Sequence, residues 1–185
     1  MTKRNIVLTL KLTLFALIFM LFCAIQTSFW PFMLGFLPSP QFWLILIIFI
    51  AMKWPPTVAI FYIYFLGFIL TQYSHLPLKM AWIPLLLVTV FVWLFKNRIH
   101  STSVFYFSIL VTSASIFYAI SYIGVSYWLE HVPTPIYVLH RLAEIGCNFL
   151  VSIPLYKFLN FFDQKFKFTE SWGSAKTQPQ EPVEL

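Results

Sequence analysis

The side chains able to do chemistry inside this apolar chain converge on one stretch. Ile136–Tyr156, IYVLHRLAEIGCNFLVSIPLY, is the only strongly apolar segment that carries charges of both signs within it. Read as a helix, it sets Tyr137, Arg141, Glu144, Asn148 and Ser152 at spacings of four, three, four and four, one continuous face. A charge at this depth costs on the order of 3 kcal/mol against lipid, so the stripe is expected to face other helices or a polar cavity. Two uses are open. In one, Arg141 reaches the outer headgroups, Glu144 satisfies it at i, i+3, and Asn148 and Ser152 bond a neighbouring helix as packing contacts. In the other, the stripe lines a functional cavity or a partner surface.

Catalysis needs a nucleophile with a base, or a metal with its ligands, at short range. His75, His100, His131 and His140 are each isolated in the sequence, and none forms the i, i+4 pair of a zinc helix. There is no Gly-x-Ser-x-Gly turn and no phosphate loop, Asp163 is the sole aspartate, and Glu144 is the sole carboxylate placed inside a span. Cys23 and Cys147 sit in apolar spans, which supports neither a disulfide framework nor a zinc site. No catalytic, cofactor-binding or metal site is therefore expected. A proton-coupled carrier using Glu144, with Arg141 beside it, is a minor alternative.

The elements that must position the stripe are membrane helices. Of 185 residues, 60% are hydrophobic and 10% charged, with a mean hydropathy of +0.82, which excludes a water-soluble core. Aromatic residues make up 21% of the chain, more than interfacial belts need, so many rings must face lipid or fill gaps between helices. The net charge of +6 does not point to nucleic acid, because the basic residues stand singly at span ends.

In chain order, Ile6 to Phe22 is almost unbroken apolar after Lys3 and Arg4, and no small-residue cleavage site follows it, so it reads as an uncleaved first span. Trp30 to Pro40 holds three prolines and a glycine among aromatics, which disfavours a regular helix and suits an outer connection or a shallow re-entrant piece. Phe42–Met52 and Val58–Leu70 are short for separate spans, and one broken span is the alternative. Parity decides. With six spans, Lys3, Arg4, Lys11, Lys53, Lys96, Arg98, Lys157, Lys165, Lys167 and Lys176 fall inside and Lys79 alone outside.

The expected architecture is thus an all-α integral membrane protein of six helices with both termini cytoplasmic. Its spans lie at about 6–28, 41–54, 56–73, 80–96, 103–129 and 136–158 within a membrane domain 1–168, followed by a disordered polar tail, 169–185. The fifth span carries Ser108, Thr112, Ser115, Tyr118 and Tyr122 at helical spacing, a milder polar face suited to pack against the stripe of the sixth.

This arrangement resembles the rod shape-determining protein MreD family of bacteria, small and six-spanning, over roughly Ile6 to Lys167. The likeness rests on Pro40 and Gln41 leading into an apolar span closed by Lys53, Trp54, Pro55 and Pro56. It rests also on a last helix with Asn148 and Pro154 six apart, followed by Asp163. Gly67 matches a family glycine, but Thr71 stands where members often carry an aspartate four residues on, so no charged contact is carried over at that position. The resemblance implies a non-enzymatic component of the bacterial inner membrane, associated with an MreC-like protein and through it with the MreB filament and the peptidoglycan synthases. It also implies a fold similar to the substrate-binding subunits of energy-coupling-factor vitamin transporters. Such a small-molecule-binding subunit is the alternative function, although the close-approach face those subunits present is missing here, since Ala16 and Ala24 are eight apart with Met20 between them.

Overall fold

The computed structural model describes residues 3–74, 77–96, 103–130 and 137–166. The tail 169–185, His75, His100 and His131, Arg98, Lys167 and Lys176, and the connections 97–102 and 131–136 lie outside these. The described residues are helical, with no strand among them: α1 (Lys3–Ala24), a π-helical segment (Ile25–Phe29), α2 (Trp30–Leu34), α3 (Phe42–Lys53), α4 (Pro56–Ser74), α5 (Leu78–Lys96), α6 (Val104–Leu129) and α7 (Val138–Phe166). Five continuous stretches are long and apolar enough to cross a membrane: Leu12–Leu34, Pro56–Tyr73, Leu78–Lys96, Val104–Leu129 and Val138–Lys165.

The exception organises the rest. α3 has 12 residues, about 18 Å of helix against a hydrocarbon thickness of about 30 Å. Its side chains from Trp43 to Ala51 are all buried, and it packs against α1, α4, α5, α6 and α7. Apolar surface alone does not explain this central place, because lipid tails solvate Ile and Leu as well as protein does. The ends of the helix do. A short helix leaves unpaired backbone groups within the membrane, which only protein can satisfy, so the other helices must enclose it.

Both ends find partners in other helices. At the start, the irregular Pro38–Gln41 adds at most about 13 Å of chain, and the buried Gln41 N–H donates to Asn148 Oδ1 of α7 at 2.7 Å. At the finish, Trp93 Nε1 of α5 donates to Ala51 O at 3.1 Å and Lys96 Nζ donates to Trp54 O at 3.2 Å, a cation at the negative end of the helix. Trp54 itself is extended (φ −92°, ψ 160°), the conformation imposed on a residue before proline. Pro56 then opens α4, where its missing N–H costs nothing.

The resulting helices depart from the sequence expectation in one place and refine it in two. Trp30–Leu34 is helical despite its proline, because Pro31 sits in the first turn, so the first hydrophobic pass runs on to Leu34. The pass at 41–54 holds a short helix enclosed by the others, Phe42–Lys53, whereas the pass at 56–73 is long and apolar enough to cross unaided. The last helix runs through the expected span 136–158 and on to Phe166.

Rings tie the bundle together around α3. Phe49 of α3, Phe107 of α6 and Tyr156 of α7 form a triangle with centroids 6.3, 6.1 and 4.6 Å apart. Trp54 meets Phe15 of α1 and Tyr62 of α4 at 5.3 and 5.2 Å. Tyr62 Oη also donates to Leu12 O at 2.6 Å. Gly67 marks a close approach of α4 to α5: a Cβ built there would run into the Trp82 indole, which stacks on Tyr64 at 4.1 Å and meets Phe68 edge-on at 4.5 Å. Many large apolar side chains point outward, Phe32, Phe36, Phe61, Trp128 and Leu139 among them, as expected of a surface solvated by lipid.

A candidate functional site at the head of the central helix

α7 delivers the polar stripe because its other faces are apolar, and α6, its most extensive neighbour, presents Ser115 opposite. Asn148 is fully buried. Its Oδ1 accepts from the Gln41 N–H, and its Nδ2 donates to Ser115 Oγ at 3.1 Å, with a longer 3.5 Å approach to Gln41 Oε1. One turn up, Glu144 Oε1 accepts from Gln41 Nε2 at 2.6 Å and Oε2 accepts from Arg141 Nη1 at 2.8 Å. The ion pair is graded in depth: the Glu144 side chain is 12% exposed and that of Arg141 35%. A carboxylate inside a bundle is costly without partners, and here one neutral amide and one guanidinium supply them.

The structure therefore gathers Arg141, Glu144 and Asn148 and leaves out the two ends of the stripe. Tyr137 is exposed. Ser152 is buried but donates to Phe149 O of its own helix at 2.7 Å, and Pro154 is exposed two residues beyond. On α6, Ser108 and Thr112 likewise bond back to Val104 O and Ser108 O, so Ser115 alone of that face's hydroxyls bonds the stripe. Thr71, at the position where an acid was looked for, donates to Phe68 O in its own helix at 2.8 Å.

Two glutamines complete the site and were not foreseen as site residues. Gln41 follows Pro38, Ser39 and Pro40 in a stretch without charge; a lone amide at the threshold of a wholly apolar helix was the available signal, since it stands where the first orphan N–H groups need partners. Gln26 lies in the π-helical segment, a local widening that often accompanies functional sites. Above the Glu144–Gln41 contact a cavity of about 230 Å³ opens between Gln26, Gln41, Trp43, Tyr118, Tyr122 and Arg141. Trp43 meets Tyr118 edge-on at 5.2 Å, and Tyr118 stacks on Tyr122 at 6.2 Å, giving the cavity an aromatic wall. It lies toward the end of the bundle opposite Lys53 and Lys96.

Chemically the junction can hold charge and hydrogen-bond donors in fixed positions. Among the described residues no group of three or more His, Cys, Asp or Glu is placed to hold a metal ion. Free Cys23 is buried and free Cys147 partly so. The chain matches no protein-family model, no curated protein and no solved structure.

Proposed function

We propose that this multi-pass membrane protein is a non-enzymatic scaffold of the MreD type, sited in the bacterial inner membrane with both termini cytoplasmic. In that role it links an MreC-like protein, and through it the MreB filament and peptidoglycan synthases, during cell elongation. One observation carries the reading. The two stretches on which the family resemblance rests, Pro40–Gln41 and the Asn148 helix, lie 107 residues apart and meet at the 2.7 Å bond from the Gln41 N–H to Asn148 Oδ1. They form one structural unit, the anchored head of α3, so their joint presence has a single physical reason. In this reading the polar stripe holds the bundle in shape, and the outward helix faces are left for lipid and partner helices.

A second reading, the small-molecule-binding subunit of an uptake transporter, is favoured by the cavity between Tyr118 and Arg141. The test that separates the two is gentle purification of the tagged chain from its native membrane, with mass spectrometric identification of the proteins that accompany it. Recovery of MreC-like protein, MreB or wall synthases is the expected result. Recovery of ATPase subunits with a membrane coupling protein, and of none of the shape proteins, overturns the scaffold in favour of the transporter.

A further inference from the structure

The cavity holds polar groups that the fold does not use. Gln26 Oε1 is buried and accepts no hydrogen bond among the described residues, although buried carbonyl oxygens in native proteins nearly always have a donor. Arg141 spends Nη1 on Glu144, and no other side-chain bond of this guanidinium is made among the described residues, although it carries five N–H donors. Tyr118 and Tyr122 add hydroxyls to the same wall. These groups come from three separate elements, the π-helical segment, α6 and α7, and no hydrogen bond joins one to another among the described residues. Apart from the one Arg141 N–H held by Glu144, the junction beneath is complete without them: Gln41, Glu144, Asn148 and Ser115 are joined to one another.

We propose that the cavity binds a compact zwitterion, its anionic group on the free N–H groups of Arg141 and the Tyr122 hydroxyl, its ammonium donating to Gln26 Oε1. The charge balance selects this class. Glu144 already neutralises Arg141, so a net-neutral ligand with separated charges fits where a simple anion would leave the site negative and leave Gln26 without a donor. The aromatic wall offers ring faces to the ammonium as well. The volume of about 230 Å³ is below the roughly 300–1,000 Å³ of sites for drug-sized ligands, which matches an α-amino acid or the phosphoethanolamine headgroup of a phospholipid. These two sources share the chemistry of an anion and an ammonium a few bonds apart.

Gln26→Leu is the informative variant, because Gln26 makes no side-chain hydrogen bond among the described residues and its loss there costs the fold none. The full-length protein is delipidated in detergent. Phosphatidylethanolamine and phosphatidylglycerol are then titrated by native mass spectrometry, and O-phosphoethanolamine and a panel of neutral α-amino acids by thermal shift. Selective retention of one phosphatidylethanolamine assigns the headgroup; stabilisation by an amino acid with no lipid preference assigns a free solute. In either case Gln26→Leu is expected to weaken binding about tenfold, the equivalent of one hydrogen bond, while leaving the ligand-free protein as stable or more so. Tyr122→Phe is expected to weaken binding several-fold in the same direction. Failure of every probe to bind the wild type overturns the proposal. So does binding that Gln26→Leu and Tyr122→Phe both leave unchanged, which would mean that water fills the cavity and the ligand sits elsewhere.

Discussion

Asn148→Leu tests the idea that the buried amide anchors the central helix. The change keeps the size of the side chain and removes two bonds, from the Gln41 N–H at 2.7 Å and to Ser115 Oγ at 3.1 Å. They are not equivalent. Hydrogen bonds between side chains of membrane helices average about 0.6 kcal/mol and reach about 1.7, because the separated helices find other partners. The Gln41 N–H has no such freedom: it is a backbone donor inside the bundle, and stranding it costs about 1–3 kcal/mol. The sum is a loss of about 2–4 kcal/mol, a shift of roughly 30- to 1,000-fold in the unfolding equilibrium. Ser115→Ala removes only the second bond and should cost about 0.6–1 kcal/mol. Reversible unfolding in mixed micelles, followed through the tryptophans, measures both, and the double variant isolates the pairwise coupling. Equal losses for Asn148→Leu and Ser115→Ala would refute the anchor, since the backbone of α3 would then be held by something else.

Further outcomes follow from the same contacts. Gly67→Ala should destabilise by about 1–3 kcal/mol, since its methyl would collide with the Trp82 ring; Trp82→Leu in the same chain should recover much of that loss and thereby show the ring to be the obstacle. Glu144→Leu removes the acceptor of both Gln41 and Arg141 and should cost about 2–4 kcal/mol, whereas adding Arg141→Leu should cost less than the two single changes together. Trp93→Phe, which loses the bond to Ala51 O, should lower stability by about 0.5–1.5 kcal/mol with no effect on ligand binding at the opposite end. For topology, a membrane-impermeant maleimide applied to intact cells should label Lys79→Cys and not Lys53→Cys, in a chain whose Cys23 and Cys147 are replaced by alanine; the reverse pattern would place the termini outside.

Much of the architecture was legible in the chain itself. Long uncharged runs require membrane helices because hydrocarbon supplies no partner for a backbone group. The helical spacing of Arg141, Glu144 and Asn148 put them on one face before any packing was known. Prolines punctuated correctly at Trp54–Pro56, where the residue before a proline must be extended. At Pro31 the same rule misled, because a proline in the first turn of a helix gives up no bond.

Tertiary structure decided how the polar face is spent. Spacing places side chains on a helix surface but does not say which surface meets it, so the stripe could equally have lined a partner contact. Its partners, the Gln41 backbone and the Ser115 hydroxyl, lie 107 and 33 residues away, and no local pattern encodes such pairings. α3 illustrates the division most clearly. Its apolar composition is uniform around the helix, so the sequence places it in the membrane without choosing which face meets lipid and which meets protein. Its place at the centre, with α7 satisfying one end and α5 the other, follows from a requirement that exists only in three dimensions: a helix shorter than the membrane must have its terminal backbone groups covered by protein.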